Sequence, residues 1–201
     1  MTMSPGQSGS GPAHVLTDEQ AKKVRLVVLD VDGVLTDSGV YMGRLPGGES
    51  LEMKRFDIQD GLGVRLLQWA GIEVAIVSGR VSEATSIRAE ELYITECHQD
   101  GGAQKIQAIR GIMERMGIGW DEVAMLGDDL PDLAVLRRVG LPAIVANATD
   151  SVLDVAVWQA RKNGGQGAVR EFAEAILKAK GVWEELVEDY VANRSGEGGG
   201  A

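Results

Sequence analysis

The sequence predicts an α/β fold, a Rossmann-like parallel sheet with helices on both faces, and it does so through three apolar runs that each end in polar residues. Val27-Val28-Leu29, Val74-Ala75-Ile76-Val77 and Val123-Ala124-Met125-Leu126 are continuous rather than alternating. Strands covered on both faces read this way, and sheets so covered are parallel ones. Helix-period patterns separate the runs. Ile106, Ile109, Ile112 and Met113 recur at helical spacing within residues 103–116, and a second pattern spans residues 82–92.

The first run closes on Asp30-Val31-Asp32-Gly33, two carboxylates spaced two residues apart. Open α/β sheets put their chemistry at the carboxyl ends of strands, and a buried charge is costly unless paired or metal-bound. Gly33 marks the point where the chain turns. The second run ends in Ser78-Gly79-Arg80, where a hydroxyl and a guanidinium at a strand-to-helix junction suit an anion; read alone, Ser78 and Gly79 do no more than make the turn. Lys105 opens the next helical segment, a position that by itself reads as a solvated face. The third run ends in Gly127-Asp128-Asp129-Leu130-Pro131-Asp132, with three carboxylates in five residues. Pro131 fits a first helical turn, so these acids fall at the loop and helix start.

Residues 38–56 are too few for a cap domain, so the fold is expected to be capless with a small β-hairpin insert. Tyr41-Met42-Gly43 and Leu51-Glu52-Met53-Lys54 flank the turn residues Leu45-Pro46-Gly47-Gly48. An isolated hairpin is marginal in water, so this one should pack against copies of the chain. A further strand is expected over residues 142–146 and a short helix near Asp150. Val169, Phe172, Ala173 and Ile176 form an apolar stripe on a helix over residues 168–180, and Trp183, Leu186, Val187 and Tyr190 continue as a tail helix.

A chain of 201 residues can bury one core. The expected organisation is a disordered tail over 1–20, one domain over 21–181 and a C-terminal tail over 182–201. Residues 1–12 are rich in Ser, Gly and Pro, and residues 194–201 in Gly; both are expected to be disordered. The formal charge of -10 argues against nucleic-acid partners, and no apolar stretch suits a membrane span. The single cysteine, Cys97, points to the cytoplasm, and neither His14 nor His98 has companions at zinc-ligand spacing.

Taken in order, DxDG, SGR, the lysine and GDDxxD resemble the haloacid dehalogenase superfamily of phosphatases. Within it, LDVDGVLTD, MKRFDIQDGLGVRLL, GIEVAIVSGR, GDDLPD and GGQGAVRE are most similar to the 3-deoxy-D-manno-octulosonate (Kdo) 8-phosphate phosphatase family, over residues 24–180. The resemblance implies a magnesium-dependent phosphomonoesterase of lipopolysaccharide precursor synthesis that acts on a phosphorylated acidic sugar as a homotetramer.

It also implies roles. Asp30 is the nucleophile and Asp32 the acid/base; Ser78 and Lys105 complete the catalytic group. Asp30, the Asp32 carbonyl and Asp128 hold Mg2+, with Asp129 and Asp132 orienting ligands or Lys105. Gly79, Arg80, Asp57, Asp60, Gly61, Arg65, Arg88 and Lys105 bind substrate. The chain departs from the common pattern at Asp57, where Asn is frequent, and at Gln59, where Arg is, which removes one cation expected beside the sugar carboxylate. Two alternatives stand beside this reading. One is a phosphatase for a sialic-acid-type 9-phosphate; the other is a catalytically silent oligomerisation module, against which the retained Asp30, Asp32, Ser78, Lys105 and Asp128 argue.

Overall fold

The computed structural model describes residues 16–102 and 104–195. Helix α1 (Asp18–Lys23) opens with a capping box between Thr17 and Gln20. Strand β1 (Leu26–Leu29) follows, then the hairpin strands β2 (Tyr41–Arg44) and β3 (Ser50–Met53) and helix α2 (Ile58–Trp69). Next come β4 (Glu73–Ser78), α3 (Glu83–Glu91), β5 (Glu96–Gln99) and α4 (Lys105–Met116). The remainder is β6 (Val123–Gly127), α5 (Leu130–Leu136), β7 (Leu141–Ile144), α6 (Asp150–Leu153), β8 (Trp158–Gln159), α7 (Ala168–Lys180) and α8 (Trp183–Ser195).

The main sheet has six strands in the order β5-β4-β1-β6-β7-β8, all paired in parallel. Val28 of β1 lies opposite Ala75 of β4 on one side and Met125 of β6 on the other. The chain order reverses at β1, and an open sheet gathers its ligand site beyond the strand ends at such a switch point. The continuous apolar runs have the expected cause. Val27 and Leu29 pack with Val64, Leu67, Phe172 and Ile176 of α2 and α7. Leu26 and Val28 pack on the opposite face with Ile109, Ile112, Val135 and Leu136 of α4 and α5.

The hairpin is a separate two-stranded antiparallel sheet with Tyr41 opposite Met53, its turn closed by hydrogen bonds between Leu45 and Glu49 and between Gly48 and Leu45. Its turn lies at Leu45 to Gly48, as the sequence predicts. Several boundaries differ from expectation. The tail assigned to residues 1–20 ends early, because the Thr17 cap starts α1 inside it; residues 1–15 lie outside the described residues. Arg194, placed in a glycine-rich end, belongs to α8, which docks through Trp183 and Leu186 on the core and through Tyr190 on Trp69, ring centroids 5.8 Å apart. Residues 196–201 and Ala103 are also outside the described residues. β7 is displaced by one or two residues from residues 142–146, and the two-residue β8 is too short to leave a periodic signal.

Asp60 is a correction. It is fully buried and accepts the backbone N–H groups of Gly167 at 3.2 Å and Arg170 at 2.9 Å, tying α2 to the start of α7. No substrate can reach it there. Burial pushes its carboxyl up from 3.8 to about 6, against the pull of those N–H bonds. A carboxyl with a raised folded pKa stabilises the fold below its unfolded value and loses that contribution as pH rises through the folded one. Asp60→Asn removes this titration, so the stability of the wild type relative to the variant should fall by about 1 kcal/mol between pH 5 and pH 7. Urea unfolding of both proteins at the two pH values checks it; a constant difference would show that Asp60 does not titrate with the fold.

Candidate active site

Three parallel strand ends and one helix start build the site. Asp30 leaves β1 in extended conformation, and its amide donates to Leu126 O across the strand pair. The chain then turns through Asp32 and Gly33, whose φ of 105° is open to glycine without strain. A Cβ on Gly33 would also sit 2.1 Å from Asp128 Oδ2. Thr36 fastens this turn, donating from Oγ1 to Val31 O and accepting from the amides of Gly33 and Ser38. The loop of Gly164 and Gly165 packs against it so closely that a Cβ on Gly164 would meet Gly33 O at 1.7 Å.

Lys105 is the first residue of α4 and is 3% exposed. Its Nζ lies 2.6 Å from Asp30 Oδ1 and 2.6 Å from Asp132 Oδ1, so the lysine read as a solvated face is a buried bridge. Its own desolvation works against the charge, but Asp132 and Asp30 overcome that and raise its pKa. Asp132, buried in α5, also accepts the Asp128 amide at 2.9 Å. Asp129 caps α5 by accepting from Leu130 N and takes the Thr149 hydroxyl at 2.9 Å.

Burial, with the Asp132 charge, pushes the Asp30 carboxyl up to about 6 although Lys105 opposes it. Burial and the charges of Asp30, Asp132 and Asp129 push Asp128 up to about 8. A carboxyl that holds a proton so tightly has an equal use for another cation. Among the described residues, Asp30, Asp128 and Asp132 offer oxygens all within 4.8 Å of one another, and hard oxygen donors suit Mg2+. Because Asp132 is spent on Lys105 and the Asp128 amide, Asp30 and Asp128 are the carboxylates best left for a metal.

The open cleft is lined by Asp30, Asp32, Ser38, Ser78, Gly79, Arg80, Lys105, Asp128, Asp129, Pro131 and Asp132 and has a volume of about 260 Å³. Nine of these carry sequence-derived assignments. Ser78 ends β4 and accepts the Arg80 amide at 3.2 Å. The Arg80 guanidinium bonds Glu52 of β3 at 2.6 Å and lies 3.8 Å from Asp32.

Four further expected substrate contacts stand elsewhere. Asp57 caps α2 by accepting the Gln59 amide. Gly61 packs under Arg88, whose Nη2 a Cβ there would meet at 2.6 Å. Arg88 is buried, donating to Asp57 O and Glu91 and lying over Phe56. Arg65 stacks between Trp69 and Tyr93 beside Arg25 and Glu73, at the opposite end of the strands. Within one chain, these side chains are committed to packing. The sequence reading missed Lys54 and Glu52. A lysine and a glutamate on an exposed two-stranded insert carry no local signal, because their partners come from Asp32, Arg80 and Ser82.

This fold and site are those of a haloacid dehalogenase-like hydrolase, and residues 99–172 match the model of that family. The chain is 39% identical over 175 residues to the 3-deoxy-D-manno-octulosonate 8-phosphate phosphatase KdsC of Escherichia coli K12, covering 87% of this chain and 90% of the relative. A crystal structure of the same phosphatase from Moraxella catarrhalis, with a magnesium ion, a phosphate ion and a Kdo molecule, superposes with a TM-score of 0.79 at 37% identity, over 86% of this chain and 97% of that one. A probable YrbI family phosphatase from Pseudomonas syringae gives a TM-score of 0.79 at 41% identity, over 87% and 96%. The chain belongs to the 3-deoxy-D-manno-octulosonate 8-phosphate phosphatase family.

Removing Asp132 would leave Lys105 buried with a single partner and free the Asp128 amide. Losing one partner from a buried ionic cluster typically costs about 3 kcal/mol, so Asp132→Ala should lower the unfolding free energy by roughly that amount. Denaturant titration measures it, and a loss under about 1 kcal/mol would mean the Lys105 bridge contributes little.

Proposed function

We propose that the chain hydrolyses 3-deoxy-D-manno-octulosonate 8-phosphate to Kdo and phosphate through an aspartyl-phosphate. The observation that carries this reading is the Asp30 carboxylate at a strand end, gripped at one oxygen by Lys105 and open to the cleft. Lys105 occupies Oδ1, which leaves Oδ2 to attack phosphorus. The Lys105 ammonium against Oδ1 favours the ionised carboxylate that a nucleophile must present, although burial pushes its pKa up.

The bond from Asp30 to phosphorus forms as the bond to the sugar oxygen breaks, and Asp32 gives its proton to that oxygen. Water then attacks the same phosphorus while Asp32 takes a proton back, which releases phosphate and restores Asp30. Lys105, Ser78 and the Gly79-Arg80 turn supply positive charge and donors to the phosphoryl oxygens, where a water-poor setting strengthens them. The carboxylates of Asp30 and Asp128 and the Asp32 carbonyl would hold Mg2+, which supplies charge neutralisation at the phosphate. Asp129 and Asp132 act as positioning residues, for α5 and Lys105.

The reading includes a cytoplasmic homotetramer. A single cysteine, without a partner in the chain for a disulfide, supports the compartment. Exposed apolar side chains on the hairpin support the assembly: Tyr41 is 60% exposed, Met42 78% and Met53 52%, more than a small insert leaves to water without a partner surface. Arg65 and Arg88, away from the cleft within one chain, are offered as substrate contacts only through such an assembly.

Asp30→Asn should abolish turnover while leaving the thermal transition in place, and chelation should silence the wild type until magnesium is restored. A phosphate-release panel of Kdo 8-phosphate, a sialic acid 9-phosphate and hexose phosphates tests the substrate; a preference for either of the latter would overturn the Kdo reading. Deletion of residues 43–49 should shift the protein to smaller species in light scattering. It should also raise KM for Kdo 8-phosphate more than for p-nitrophenyl phosphate. An unchanged mass and unchanged preference would reduce the hairpin to a surface loop.

A further inference from the structure

Lys54 leaves β3 with its side chain fully buried, although the strand itself is exposed along most of its length. Its Nζ lies 2.7 Å from Asp32 Oδ1 and 3.9 Å from Glu52 Oε1. Neither Lys54 Nζ nor Asp32 Oδ1 makes a directed hydrogen bond, and both atoms are buried. The 2.7 Å ion pair between them is the close polar contact that accounts for both atoms. Lys54 is not among the side chains lining the cleft, whereas Asp32 is.

The surroundings explain why this lysine faces Asp32 alone at close range. Arg80, the other cation near Asp32, stands at 3.8 Å and spends its closer contact on Glu52 at 2.6 Å. Glu52 is held in turn by the Ser82 hydroxyl at 2.6 Å, so the base of the hairpin is clamped to the loop after β4. Asp32 sits in a turn with non-helical backbone angles. Its Oδ1 is turned into the protein, which leaves Oδ2 as the oxygen able to meet a ligand.

We infer that Lys54 is a positioning residue for proton transfer: carried in by the hairpin, it pins Asp32 Oδ1 so that Oδ2 is aimed at the leaving oxygen of the substrate. This rests on the reading of Asp32 as the acid. An acid must be within hydrogen-bond reach of the atom it protonates, and a freely rotating carboxyl spends little time there. The hairpin thereby does more than shield the cleft, since it delivers one part of the machinery into the core domain.

The leaving group separates this role from a structural one. A sugar alkoxide needs its proton as the bond to phosphorus breaks, whereas p-nitrophenolate leaves without one. In Lys54→Met the first-turnover rate on Kdo 8-phosphate should fall roughly 50-fold, less than the ~10²–10⁴-fold that general acid catalysis supplies because Asp32 itself remains, and that on p-nitrophenyl phosphate by less than about threefold. KM for the sugar phosphate should stay within about twofold, because Lys54 does not touch the ligand, and Lys54→Arg should recover most of the loss. Lys54→Gln repeats the test with a polar side chain at the buried position.

Equal losses on both substrates, in a variant with the wild-type melting temperature, would overturn the inference and make Lys54 a strut for the hairpin. Failure of both Lys54→Met and Lys54→Gln to fold would do the same. Asp32→Asn serves as the reference. If it shows no leaving-group dependence, the acid reading of Asp32 fails; if it does and Lys54→Met does not, only the role of Lys54 fails.

Discussion

The bridge from Lys105 to Asp30 and Asp132 is the interaction around which the rest of the site is arranged. It joins the start of α4, the end of β1 and the first turn of α5 at a single ammonium group, 2.6 Å from an oxygen on each side. A cation at a helix start opposes the helix dipole by about 0.3–1 kcal/mol and also loses its hydration on burial. Each carboxylate at contact distance returns about 4 kcal/mol at an effective dielectric of about 20, so the pair of acids decides the outcome and keeps the lysine charged. Asp30 is held in turn with one oxygen engaged and one free. The cluster still carries more negative than positive charge; burial first and then this excess lift Asp128 to about 8, and the excess makes the pocket a place for a cation.

Close approach of backbone segments gives that cluster its shape. Gly33 turns the chain between Asp32 and Val34 where a Cβ would lie 2.1 Å from Asp128 Oδ2, and Gly164 passes over Gly33 O with no room for any side chain. Asp60 sets the position of that crossing loop from behind, through the amides of Gly167 and Arg170. The residue lies far from the chemistry in the sense that it never meets the cleft. It still determines where the chain that covers the turn from Asp30 to Gly33 can run, which gives a physical reason for a buried carboxylate at a cost of desolvation.

The hairpin stands apart from the main sheet and has too little apolar surface to stabilise itself. Its attachment to the domain is electrostatic: Lys54 to Asp32, and Glu52 to Arg80 and Ser82. Its outer face remains apolar, with Met42 and Tyr41 largely exposed. One small insert thus meets the core with charge and presents hydrophobic surface outward.

The fold class, the strand ends and the DxDG, SGR and GDDLPD groups were legible in the sequence, because a strand buried on both faces must be apolar throughout and its polar end must then be a boundary. The turn of the hairpin was legible for a similar local reason, in Pro46, Gly47 and Gly48. Tertiary structure alone decided which polar residues meet. Lys105 looks solvated in its helix and is buried because Asp30 and Asp132 arrive from other elements; Lys54 looks like an exposed strand residue and is buried because Asp32 is there. Asp60, Arg65 and Arg88, binding groups by resemblance, meet other partners within one chain: α7 for Asp60, Trp69 and Tyr93 for Arg65, and Asp57 and Phe56 for Arg88. Periodicity and turn chemistry act between near neighbours and leave a trace in the order of residues. The partner of a buried charge is chosen by proximity in space, and a single sequence holds no local record of it.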